Sequence, residues 1–400
     1  MSFGIYISVP FCRTKCSYCN FASDVFSRAV FQRYVDRVCV DIGNAQQTSQ
    51  QMGGQIEREV DSIYLGGGTP TVLEPDHLLR MFEAVRSQFS VAAGAEITVE
   101  CAPGTLTPFM LDTLLRCGVN RVSLGVQSFI DQEAASVGRL HKKATVLDDV
   151  SRLRAAGITN INIDLIAGLP HQTAESWHES LSQAIATGAP HVSVYMLEVD
   201  EDSRLGRELI AGGTHYHAHF VPDEDTTADF YLTACEALER GGIAQYEISN
   251  FAGNGFESRH NLKYWTRQPY LGFGVDAHSM LFSVAKELEA VRFATADSLE
   301  KYIAGTLVQK TEVSSIVALE ESFFLGLRLN RGVNLRPLKD KFGVPMLAAF
   351  RRTIVEQCEL GLLEQKDDII RLTPRGRLLS NEVFEAFLIY DHIRDNRVSV

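Results

Sequence analysis

No stretch of this 400-residue chain approaches the roughly eighteen uninterrupted apolar residues of a membrane span, so none is expected. The opening residues, MSFGIYISVPFC, lack the basic region, apolar core and cleavage site of a secretory signal, and a cytoplasmic location is expected. Positive charge is in deficit. With 38 Lys and Arg against 50 Asp and Glu, the formal net charge is −12, which argues against nucleic acid and allows at most peripheral membrane association. Cysteine is scarce: eight residues cannot make a disulfide scaffold in a chain this long, and a reducing compartment would not keep disulfides. No low-complexity segment and no internal repeat stand out beyond an alternation of short strands and longer helices.

What is present is the composition of a globular protein, 45% apolar, at a length that suggests more than one domain. Candidate strands lie at Ile5–Val9, Ser62–Leu65, Glu96–Glu100, Arg121–Gly125, Asn160–Leu165 and His191–Leu197. Amphipathic stretches between them predict helices at Phe31–Asn44, Pro75–Gln88, Pro108–Cys117, Ala144–Ala155 and Glu175–Thr187. Six parallel βα units predict an α/β fold, a partial (β/α)6 barrel whose chemistry sits just beyond the strand ends; an open doubly wound sheet is the alternative. After residue 223 the pattern changes. Residues 224–312 read as a barrel extension and linker, and 313–400 as three helices followed by a β-hairpin, a C-terminal winged-helix-like domain. That last segment holds 13 Lys or Arg against 12 Asp or Glu, so it lacks the basic face of a nucleic-acid reader.

Five cysteines (Cys39, Cys101, Cys117, Cys235 and Cys358) are scattered and read as small buried hydrophobes. The other three, Cys12, Cys16 and Cys19, form C-x3-C-x2-C directly after the first strand. Three thiolates without a fourth partner suit a [4Fe–4S] cluster with one iron left open. Structural zinc, the alternative, usually closes with four ligands, and no histidine lies near the triad in sequence.

This motif, with Tyr18 before the last cysteine, resembles the radical S-adenosylmethionine (SAM) superfamily. The resemblance implies that the open iron chelates the methionine part of SAM and that one electron cleaves its sulfonium bond to a 5′-deoxyadenosyl radical. It also implies a SAM site. LGGGTPT places Gly67, Gly68 and Thr69 where the superfamily holds the methionine amino group. Glu100, Gln127, Arg139 and Asp164 are similar in position to SAM contacts at successive strand ends, as are Tyr6 and Tyr18 near the cluster. Singly, Asp164 could cap a loop, Arg139 could be a surface charge and Gln127 could satisfy backbone groups; together and in order they resemble one site. Ala102 in ECAPGT departs from the asparagine common in related chains, which puts fine positioning of the nucleotide in doubt.

The segments YISVPFCRTKCSYCNF, NRVSLGVQSF, IDLIAGLPHQT, QYEISNFA, SRHNLKYW and YLGFGVDAHS extend the resemblance to the oxygen-independent coproporphyrinogen III oxidase-like branch, and within it to the HemW-type haem chaperones. The oxidases carry a further cysteine where this chain has Phe21, and a longer extension before the cluster motif. HNLKYW resembles the H-N-x-x-Y-W element associated with haem in the chaperones; it makes His260 the candidate haem ligand, Tyr264 and Trp265 packing groups, and His278 a second candidate. The implied function is haem binding and delivery to acceptor proteins such as respiratory-chain enzymes, with a flavodoxin or ferredoxin as electron donor. The alternative is the enzyme itself, a SAM-dependent oxidative decarboxylase of coproporphyrinogen III propionates; a radical SAM enzyme of unrelated substrate is a third reading. His215, His217 and His219 in THYHAHF read as a polar loop rather than a metal site.

Overall fold

A computed structural model describes residues 2–306 and 309–388; the end of the expected C-terminal segment, residues 389–400, lies outside the described residues. Sixteen strands are described: β1 (Phe3–Val9), β2 (Gly54–Gln55), β3 (Glu59–Gly67), β4 (Ser90–Cys101), β5 (Arg121–Gln127), β6 (Asn160–Ala167), β7 (His191–Met196), β8 (Ala244–Glu247), β9 (Asn250–Ala252), β10 (Tyr270–Gly274), β11 (His278–Ser283), β12 (Ala290–Ala294), β13 (Gln309–Val313), β14 (Val333–Asn334), β15 (Leu363–Lys366) and β16 (Ile369–Leu372). Strands β1, β3, β4, β5, β6 and β7 are the six expected ones, side by side and parallel. Four of the connecting helices, Phe31–Gly43, Pro75–Gln88, Lys143–Ala155 and Ala174–Ala186, run within two residues of the expected limits.

Alternation along these strands decides what each face does, because successive side chains point to opposite sides. One face carries Ile5 and Ile7, Ile63 and Leu65, Ile97 and Val99, Val122 and Leu124, Ile161 and Ile163, and Val192 and Val194, all buried in the main core. The other carries Tyr6 and Ser8, Ser62 and Tyr64, Glu96 and Glu100, Arg121 and Ser123, Asn162 and Asp164, and His191 and Ser193. Glu100 pairs with Ser123, Ser123 with Asn162, and Asn162 with His191, so these polar residues form a row across the sheet. Asn162 donates to Ser123 Oγ at 2.7 Å and Ser193 Oγ at 3.0 Å, and Ser193 donates to Asn250 Oδ1 at 2.8 Å. Such a face is stable because its buried groups satisfy one another.

The sheet continues beyond the six strands on both sides, which the sequence reading did not foresee. The YEISNFA segment forms β8 and β9, which add antiparallel to β7. At the other edge β10 returns parallel to β1, followed by antiparallel β11, β12 and β13. A Cβ on Gly274 would stand 2.2 Å from the Ser8 carbonyl oxygen, so only glycine lets β10 lie this close to β1.

The helix Arg259–Trp265 carries HNLKYW. Ser258 Oγ caps it by accepting from Asn261 N at 3.3 Å, and the buried Glu96 carboxylate accepts from the backbone N–H groups of Arg259 and His260 at 3.1 and 3.0 Å. Three otherwise unpaired helix donors are thereby satisfied, and a negative charge faces the positive end of the helix.

The C-terminal segment has its own core, in which Phe323 stacks between Phe350 and Phe387 at 4.8 Å centroid distance from each. Four helices precede the hairpin rather than three, because Gly343 and Pro345 split the second into Leu335–Phe342 and Val344–Ala348. The expected hairpin is β15–β16, joined by β14 into a three-stranded sheet that serves as the wing.

Candidate cofactor site

The cysteine loop leaves β1 and is pinned at several points. Asp24 N donates to Pro10 O and Cys12 N to Asp24 O, both at 3.0 Å. Gly68 N and Thr69 N donate to Val9 O and Phe11 O, both at 2.7 Å. On the far side Ser17 N reaches Val137 O at 3.2 Å, and Thr14 Oγ1 reaches Gly138 O at 2.9 Å. A Cβ on Gly68 would stand 2.7 Å from Phe11 O and 2.8 Å from Val9 O. The close approach permitted by the glycine run is therefore made to the cysteine loop itself, not only to a ligand.

Within this loop the thiols of Cys12, Cys16 and Cys19 influence one another's ionisation. Burial raises the Cys12 thiol, and so does charge on Cys19 and Cys16; burial and Cys16 likewise raise Cys19. Thiolates held so close together call for a cation between them. Among the described residues no three His, Cys, Asp or Glu side chains converge on the point where a single ion would sit. A donor set of three soft sulfurs spread along one loop fits an iron–sulfur cluster, whose irons are ligated separately. Cys101 and Cys117 are buried in the core.

Around this loop the strand ends present the expected SAM residues. Glu100 accepts from Tyr64 Oη at 2.8 Å and from the Gly67 backbone; burial, then the charge of Asp164, push its carboxyl up to about 7. Asp164 accepts from Ser123 Oγ at 2.9 Å and Asn162 Nδ2 at 2.6 Å, while burial raises it. Gln127 is buried at a left-handed backbone position (φ 68°) where the β5–β6 register slips. Arg139 is not a free surface charge. A Cβ on Gly125 would stand 2.6 Å from its Nη2, so the glycine of GVQSF makes room for the guanidinium. Burial disfavours the Arg139 charge, and Tyr18, Cys16 and Asp164 outweigh it. Its Nε is buried without a protein partner, a donor left over for a ligand. Tyr18 packs with Val137, Ile166 and Leu169 beside it. The site thus collects Glu100, Gln127, Arg139, Asp164, Tyr18 and the 67–69 backbone at one end of the sheet, with Tyr6 on the neighbouring wall.

A cavity of about 300 Å³ adjoins the cysteine loop, lined by Tyr6, Gly67, Gly68, Phe21, Tyr264, Tyr270, Asp276 and His278 among others. Phe21 is 66% exposed at its rim. His260, the expected haem ligand, is placed otherwise: it is fully buried, with Nδ1 3.0 Å from Ser62 Oγ and Nε2 2.8 Å from Tyr264 Oη. Burial, then the charge of Lys263, push it down to about 3, so both nitrogens of a neutral ring are engaged within the protein. Trp265 is not a cavity wall either; Arg328 covers its ring, with the guanidinium carbon 4.2 Å from the centroid. Tyr264 does line the cavity, edge-on to Tyr270 at 4.6 Å.

The THYHAHF histidines occupy a loop and a 3-10 turn rather than a strand, as expected, and His217 Nδ1 lies 3.2 Å from His171 Nε2. Sequence reasoning missed Tyr64, Gly125, Tyr270 and Asp276. For the first two a signal existed in the polar alternation of the strands; the last two become neighbours of the cysteine loop only because β10 pairs with β1.

Residues 6–184 match the Radical SAM superfamily and residues 313–379 the HemN C-terminal domain. Over 96% of its length the chain is 33% identical to "Heme chaperone HemW" of Bacillus subtilis (strain 168), covering 98% of that protein. The chain belongs to the HemW family. A HemW protein of Lactococcus lactis is 32% identical over 96% of this chain and 97% of its own, and that of Escherichia coli (strain K12) is 29% identical over 96% and 98%. Coproporphyrinogen III oxidase (HemN) from Escherichia coli, a radical SAM enzyme, superposes with a TM-score of 0.81 at 22% identity, covering 97% of this chain and 90% of its own. That likeness establishes the fold alone. This HemW-family chain thus has the partial radical SAM barrel expected of it, followed by the helical C-terminal segment. None of its described helices is long and apolar enough to cross a membrane.

Proposed function

We propose that this chain binds haem and hands it to acceptor proteins, respiratory-chain enzymes being the first candidates, from a scaffold that carries a [4Fe–4S] cluster on Cys12, Cys16 and Cys19. The single observation that carries the reading is the aromatic cavity against the cysteine loop, walled by Tyr6, Tyr264, Tyr270 and Phe21. Its rings suit a flat porphyrin, and membership of a family whose relatives are named haem chaperones supports it. Phe21 presents an inert ring at the rim, where the oxidases have a thiol.

SAM is assigned to Glu100, Gln127, Arg139, Asp164, Tyr6, Tyr18 and the 67–69 backbone. When bound with the cluster it supplies reductive cleavage of a sulfonium bond. The chain's own part is to orient and to exclude water: the orphaned Arg139 Nε offers a donor to an anionic group, and Glu100, poised near neutrality, accepts or shares a proton with a ligand hydroxyl. A flavodoxin or ferredoxin is the proposed electron source and the cytoplasm the proposed location. The division into 1–223, 224–312 and 313–400 is proposed on function, since β8–β13 continue the barrel sheet while residues 313 onward close a separate core. The intact SAM constellation keeps coproporphyrinogen decarboxylation as the second reading.

The test is an anaerobic titration of the cluster-reconstituted protein with haem, followed by the Soret difference spectrum. Saturable one-to-one binding supports the chaperone. Absence of binding, with turnover of coproporphyrinogen in the presence of SAM and a reductant, replaces it by the oxidase.

A further inference from the structure

The haem reading needs an iron ligand, and the buried His260 does not supply one. The geometry points to His278 as the axial ligand of a haem seated in this cavity, with His260 as the residue that positions Tyr264 in the cavity wall. This assignment rests on the haem reading above.

The two imidazoles differ in what surrounds them. To reach a porphyrin, His260 would have to leave a fully buried position, abandon Ser62 and Tyr264, and disturb a helix whose first N–H groups are held by Glu96. Each buried partner left behind would lose its hydrogen bond. The side chain of His278 is 68% exposed and lines the cavity. Its nearest charged neighbour is Asp276, with Oδ1 3.8 Å from Nε2. A carboxylate beside an imidazole is the usual partner that orients a metal-binding histidine and raises its basicity.

The backbone beneath His278 is rigid although its ring is free. His278 opens β11 and pairs with Ala294, and Gly272 comes so close that a Cβ there would stand 2.2 Å from the His278 carbonyl oxygen. Asp276 takes a left-handed conformation (φ 52°) and donates its N–H to Ala296 O at 2.8 Å, while Ala277 N donates to Thr295 Oγ1 at 2.8 Å. A fixed backbone with an unengaged imidazole at a cavity edge is the arrangement of a ligand that swings onto incoming metal. His260 acts through its 2.8 Å contact with the Tyr264 hydroxyl, one helical turn away, which sets the ring that faces Tyr270.

The experiment compares the cluster-reconstituted wild-type protein with His278→Ala, His260→Gln and Asp276→Asn, each titrated anaerobically with haem and read by Soret difference spectra and magnetic circular dichroism. His278→Ala is expected to weaken binding at least tenfold and to lose the imidazole signature, which added free imidazole restores. His260→Gln is expected to weaken binding while keeping that signature, and Asp276→Asn to keep binding with a shifted spectrum. A His278→Ala protein with wild-type spectrum and affinity overturns the assignment and leaves the haem reading standing. So does loss of the signature in His260→Gln alone. A wild-type protein that binds no haem overturns both.

Discussion

Arg328 lies over the indole of Trp265, its guanidinium carbon 4.2 Å from the ring centroid, and its Nη2 reaches Glu247 Oε2 at 3.4 Å. One side chain from the C-terminal segment thus braces both the HNLKYW helix and the β8–β9 hairpin. Arg267 and Arg292, held by the buried Glu321 at 2.8 and 2.9 Å, brace the same contact from another side.

Replacing Arg328 with Ala removes the cation–π contact and leaves Glu247, fully buried, without its cation. A loss of about 2–4 kcal/mol is expected, since an unpaired buried charge costs more than the pair contributed. Chemical denaturation of the variant checks this. An unchanged midpoint would mean that Asn250 and the Ser249 N–H suffice for Glu247.

Cluster loading separates the cysteines. Ala at Cys12, Cys16 or Cys19 is expected to abolish the brown absorbance after anaerobic reconstitution. Ala at Cys117 should keep it and lower stability by roughly 1 kcal/mol through the lost buried sulfur. Full clusters in all three loop variants would refute the assignment.

A glycine that ligates nothing should also matter. Gly68→Ala sets a Cβ against two backbone oxygens of the cysteine loop, so reconstitution should yield less cluster although every thiol remains. Gly43→Ala, which meets nothing within 4 Å near the end of the helix Phe31–Gly43, should load normally and gain up to about 1 kcal/mol. Equal iron content in the two variants would contradict this account of the loop.

Acidity at Glu100 gives a pH signature. Its folded pKa is raised from 4.5 to about 7, so it contributes stability that is fully present below about pH 4.5 and is lost as pH rises through about 7. For the cofactor-free protein this amounts to a decline on the order of 2–3 kcal/mol across that window. Thermal unfolding followed over pH should show a flatter profile for Glu100→Gln. Superimposable profiles would place the titration elsewhere.

The sequence by itself determined the six parallel strands, because alternating β-branched runs and amphipathic helices leave few other ways to bury both. It also determined the thiolate loop and the residues at the strand ends, since each sits a fixed step beyond a strand whose position the pattern reveals. It could not say that β10 pairs with β1. That pairing depends on backbone contacts between glycines and strands some 260 residues apart, which follow no local period. Through that contact the tertiary structure decided which histidine faces the cavity. His260 and His278 look equally polar in a string of letters, but Glu96, Ser62 and Tyr264 enclose the first while the start of β11 carries the second to the cavity edge.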